Sequence, residues 1–369
     1  MFSINRTPYR HTDCVRRYGV YLTTFLASFL CHASDENPLC DPYGDTGQLI
    51  RQFRLSAPLE TIRLGTPFLS SGASDLAKAV AAFDIAFAYS ELGDFNNALE
   101  TVRLYLPKIE DSGHKPCIAH AYGAVGTIYY NAEDYEDALT WTEKALSLRQ
   151  TQGIEDRVAG SLNNIGNIYL SLGQNALALE YYQLALKKWN EVGNELKSAM
   201  ALSNLGHVDL VTGKFEDAFN KQKTAIPTFE KYQEHFSIAE AQHFQALALD
   251  GMGKLSDALL IAKNAQLITQ KQHLETLSIQ VDLTLAKLLK RAGKINDAIK
   301  LVDDLLLRVS DQRQPKAKQN AYQFLAETYQ SQERHQAALE AYQKYHQLGQ
   351  QLFNRATAVK IASVRINYE

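Results

Sequence analysis

The chain has 369 residues, 46% hydrophobic and 21% charged, with a formal net charge of −3. That is enough apolar material for a large core, and the length allows either two or three ordinary domains or one long solenoid. The near balance of charge argues against a nucleic-acid partner, which wants a clustered basic surface.

The first 33 residues stand apart. Arg6, Arg10, Arg16 and Arg17 precede an apolar run from Tyr18 to Leu30, and Cys31-His32-Ala33 follows. A basic segment, a short apolar segment and a small-residue site are the three parts of a secretory signal. We therefore expect residues 1–33 to be a signal peptide, with a mature start near Ser34 and a periplasmic or secreted location. A cytoplasmic location is the alternative. The run is too short to span a bilayer, and nothing after residue 34 reads as a membrane span. Leu30 is bulkier than a lipoprotein processing site usually accepts before its cysteine. Cleavage would remove Cys14 and Cys31. Cys40 and Cys117 would remain, an even pair able to bond in an oxidising compartment.

Internal repetition decides the fold. Alanines recur every 40 residues at Ala98, Ala138, Ala178, Ala218, Ala258, Ala298 and Ala338. Twelve residues before each stands another small residue: Ala86, Gly126, Gly166, Gly206, Ala246, Ala286 and Ala326. Each unit reads as two helices. In the third, Val158, Leu162, Ile165, Ile168 and Leu172 follow three- and four-residue spacing, then Leu179, Tyr182, Leu186 and Trp189 do the same after Gly173. Turn glycines at Gly93, Gly213, Gly253 and Gly293 end the first helix of their units. The small comb residues let paired backbones approach closely. The expected architecture is all-α, a solenoid of about seven helical hairpins over residues 76–350. Residues 34–75 form a flank whose segment "PLETIRLGTPFL" caps the first unit.

The comb Gly166, Tyr169, Ala178, Ala185, matched by Gly126, Tyr129, Ala138, Ala145, resembles the tetratricopeptide repeat family. Later units are looser, with Leu249 and Leu289 in place of the tyrosine and Leu305 and Tyr345 in place of the last alanine. The resemblance implies a right-handed superhelix that binds polypeptides. The family's usual period is shorter, so each helix here is longer by most of a turn. Long-period relatives occur in bacterial regulators and in the kinesin light chain.

No catalytic constellation is present. Gly213-Lys214, Gly253-Lys254 and Gly293-Lys294 lack the spaced glycine and the Ser or Thr of a phosphate loop, and they recur at the inter-helix turn. The histidines show no helical metal spacing. Asp134, Glu136 and Asp137 begin a helix, where acids complement its dipole. We expect no cofactor and no metal.

By the resemblance, groove-facing positions lie three before, one after and four after the first small residue of each unit. That rule selects Asn163 and Asn167, Ser203 and His207, His243 and Asp250, Lys287 and Lys290 with Arg291, and Gln323, Glu327 and Gln330. Asn164 and Asn204 occupy the family's frequent asparagine position. Side-chain amides can both donate to and accept from an extended peptide backbone, and the basic trio could hold a carboxylate. The Lys/Asn/Arg clamp of repeats that bind chaperone C-termini is incomplete here.

The helix after Arg334 runs on through residues 351–369 as a C-terminal extension. Leu348, Leu352, Val359 and Ile366 make a short heptad seam, broken by Arg355. We expect that seam to dock on a partner or a second copy, or else to fold back over the seventh unit. The tail resembles periplasmic sensor regions of bacterial diguanylate cyclases and histidine kinases, which implies a sensory module whose output domain is not in these residues. A free-standing adaptor that assembles proteins on its groove is the alternative.

Overall fold

A 40-residue repeat with two apolar stripes buries them by pairing its helices and stacking each pair on the next. The structure is a computed structural model that describes residues 48–51, 53, 57–309 and 314–368. The expected signal peptide and Cys40 lie outside the described residues. A first helix, α1 (Pro58–Leu69), packs against α2 (Asp75–Glu91), where a Cβ on Gly65 would stand 2.5 Å from the Ile85 side chain. Seven hairpins follow: α2 with α3 (Phe95–Asp111), α4 (Lys115–Asn131) with α5 (Tyr135–Gln152), α6 (Glu155–Ser171) with α7 (Asn175–Glu191), α8 (Glu195–Val211) with α9 (Phe215–Lys231), α10 (His235–Gly251) with α11 (Leu255–Lys271), α12 (Glu275–Arg291) with α13 (Ile295–Arg308), and α14 (Pro315–Ser331) with α15 (His335–Tyr368).

Left-handed residues punctuate this array at intervals of twenty. Within hairpins they are Gly93, Glu133, Gly173, Gly213, Gly253, Gly293 and Glu333, and between hairpins they are Gly113, Gly153, Gly193, Gln233 and His273. Sequence reading found the glycines within hairpins but not the second set, whose last two members are not glycine. The comb residues seal each hairpin. A Cβ on Gly166 would lie 2.7 Å from the Tyr182 ring, and one on Gly126 would lie 2.5 Å from the Thr142 hydroxyl.

Successive first helices are stitched by polar contacts about 40 residues apart in sequence. Asn131 donates to Glu91 at 2.7 Å, Ser171 to the Tyr130 hydroxyl at 3.2 Å, and Asn204 to Asn163 at 2.8 Å. His243 bonds Thr284 at 2.8 Å, and Arg291 pairs with Asp250. These bonds fix the register of the inner face.

The C-terminal helix departs from expectation. Its seam is neither exposed nor confined to the seventh hairpin, because α15 crosses to the first hairpins and packs on α3. Leu348 and Val359 are buried, Leu352 is half-buried against Leu92 and Gly93, and Ile366 packs with Val359 on the cluster holding Leu99, Val102 and Ala138. Arg355 does not break the seam. It donates to the Gly93 carbonyl and lies 4.5 Å from the centroid of the Phe95 ring. Lys360 donates to Asp134 at 3.1 Å and Ser363 to Asp137, so the acidic start of α5 receives this helix as well as complementing its own dipole. The physical reason is curvature. Seven hairpins bring the array back toward its beginning, which supplies the seam with an apolar partner in the same chain.

Candidate functional site

The inner face of the third to fifth hairpins encloses a cavity of 880 Å³. Asn163, Asn167, Asn204, His207 and His243 all line it, as does Ser203. The comb spacing therefore brings together residues up to 80 positions apart. Apolar side chains, Leu170, Met200, Val211, Phe229, Phe236, Phe244 and Leu247, make up about half of its wall.

The amides are oriented. Asn163 accepts from Asn204 through its oxygen, and Asn167 accepts from the Tyr182 hydroxyl at 2.7 Å. With those oxygens engaged, the amino groups of Asn163 and Asn167 are the donors left to the cavity, while the Asn204 oxygen is left as an acceptor. Ser203 is buried and spent inward, donating to Gln222 at 2.6 Å.

Burial governs the titratable groups. It lowers His207, which stacks on Phe244 with centroids 4.3 Å apart. Burial, followed by the charges of His207 and Lys287, lowers His243 to about 4. Its Nδ1 is buried without a hydrogen-bond partner. Burial raises the Glu240 carboxyl to about 7. Burial thus disfavours the charged form of both imidazoles.

Other expected groove residues sit elsewhere. Asn164 is exposed and does not line the cavity. Asp250 and Arg291 are occupied by one another, so the basic trio is reduced. Lys290 lies 5.6 Å from the centroid of the Phe324 ring, and Lys287 is exposed beyond the cavity lining. Gln323 donates to Glu327 at 2.9 Å on the exposed face of α14. Among the described residues no cluster of three or more His, Cys, Asp or Glu could hold a metal, and no helix is long and apolar enough to cross a membrane.

The family model described as tetratricopeptide repeat matches residues 117–191 and 157–231, and a second model of that description matches 319–349. The chain carries tetratricopeptide repeats over these residues. A comparison with curated protein sequences gives no match. Among solved structures the chain is similar to NprR in complex with its cognate peptide NprX, with 11% identity, 89% of this chain and 99% of that one covered, and a TM-score of 0.58. It is also similar to a Rap protein complexed with Competence and Sporulation Factor (13% identity, 84% and 98% covered, TM-score 0.56). Aspartyl phosphate phosphatase F from Bacillus subtilis is a third (16%, 87% and 87%, TM-score 0.53). At these identities the likeness is one of fold.

One feature of this array escaped the spacing rule. Glu240 and Phe236 line the cavity one and two turns before His243 on the same face of α10. The rule samples three positions per repeat, whereas a longer helix presents more. The signal was available: 236, 240, 243 and 247 fall at three- and four-residue spacing. Cys117, which the sequence offered as half of a bonding pair, is fully buried near the start of α4 and disulfide-bonded.

Proposed function

We propose that this array is a non-catalytic receptor for an extended peptide held along α6, α8 and α10. One observation carries the reading: a cavity of mixed polar and apolar lining in which two amide donors and one amide acceptor are left for a backbone. The similar NprR was solved with a cognate peptide, which supports it. We place the receptor outside the cytoplasm, as the sensory part of a signalling system whose output domain is not in these residues. The N-terminal signal pattern supports that placement.

The test is an immobilised library of synthetic peptides probed with the purified protein. Wild type should retain a defined subset. The double variant Asn163→Ala, Asn167→Ala should lose at least tenfold in affinity, with helical content by circular dichroism unchanged. A wild-type protein that retains no peptide overturns the reading.

A further inference from the structure

We propose that the groove ligand brings a positive charge, an amino terminus or a Lys or Arg side chain, to Glu240. The inference rests on the peptide-receptor reading and names the chemistry of its ligand.

Among the described residues Glu240 is the one carboxylate lining the cavity, and no lysine or arginine lines it. The amides of the lining, Asn163, Asn167, Asn175, Asn204 and Gln280, are uncharged, and burial disfavours the charged form of its two histidines, His207 and His243. Burial alone moves this acid, and no described residue contributes an opposing charge or hydrogen bond. A carboxylate taken from water without a counter-ion is held at a cost, and a cation placed about 4 Å away recovers it. The surroundings favour a cation in a second way. Phe236 and Phe244 sit four residues to either side of Glu240 on α10, and both line the cavity. Two aromatic rings flanking a carboxylate on one helix face suit an ammonium or a guanidinium, which aromatic faces attract. A ligand carboxylate at that place would meet repulsion. The apolar remainder of the wall would take uncharged side chains, and the oriented asparagines would take the backbone.

The peptide library separates this proposal from the reading beneath it. Each retained sequence is compared with counterparts in which Lys or Arg becomes Gln and the amino terminus is acetylated. Wild type should bind the positively charged form at least tenfold more tightly. Glu240→Gln should bind both forms equally, while Glu216→Gln, on an exposed position of α9, should keep the preference. Glu240→Asp, which keeps the charge, should retain it also. If wild type binds peptides without preferring positive charge, or Glu240→Gln keeps the preference, the proposal is overturned and the receptor reading stands. Loss of preference in Glu240→Asp would show that shape rather than charge selects, which also overturns the proposal. If wild type binds no peptide, both fall.

Discussion

At residue 243 a histidine has been placed by its comb position on the groove face and then covered by its neighbours. It bonds Thr284 at 2.8 Å, and its ring stacks near Phe244. Unfolded, it would take up a proton near 6.5; folded, burial delays this to about 4. The folded state therefore binds fewer protons as pH falls through that window, and stability is lost there, by about 3 kcal/mol between pH 7 and 4. Glu240 works in the opposite sense. Its pKa is raised from 4.5 to about 7, so its ionisation destabilises the fold as pH rises through that range. In a Glu240→Gln background, denaturant unfolding should show stability falling from pH 7 to 4, and a further His243→Gln should flatten that fall. An unchanged slope after the second substitution would remove His243 as its source. Sequence spacing located His243 on the groove face. Its neutrality could not be read, because desolvation depends on what stacks over it from α8 and α12.

A hairpin is the unit in which the small residues act. The Gly166 Cα lies against Tyr182, whose hydroxyl in turn holds Asn167, so the comb glycine and the groove donor share one contact chain. Gly166→Leu should force that ring outward and destabilise the third hairpin by about 1–3 kcal/mol, the usual cost of overpacking. Since repeats contact mainly their neighbours, hydrogen exchange should accelerate in α6 and α7 and less in α4, α5, α8 and α9. Loss of protection spread evenly along the chain would contradict this. Hairpin boundaries were legible because glycine marks most left-handed turns. Glu133, Gln233, His273 and Glu333 take the same conformation without being glycine, and only the period betrays them.

At the scale of the molecule the array is closed by α15. Val359 completes the apolar cluster of the first hairpins, and Arg355, Lys360 and Ser363 bind their polar edge. Val359→Asp places an unpaired charge in that cluster and should cost roughly 3 kcal/mol. Exchange protection should fall in α3 and α5, more than 200 residues away in sequence, while α8 to α11 remain protected. If protection is lost from α14 and α15 alone, the closure does not hold in solution.

Helices and their pairing were determined by the sequence alone, because period, small residues and apolar stripes are local patterns that recur without a slip. The groove positions Asn163, Asn167, Asn204, His207 and His243 came instead from the resemblance to the tetratricopeptide repeat family, and the same rule misplaced Asn164 and Lys287. Other outcomes were decided only by tertiary structure. Asp250 and Arg291 neutralise one another across adjacent repeats, Glu240 is left without a counter-ion, and the tail's apolar seam meets the first hairpins instead of a partner. The first two depend on how adjacent hairpins stack, the last on the angle between successive hairpins summed over seven units. A small rotation per repeat leaves no mark in any one repeat's sequence, yet it decides which distant surfaces meet.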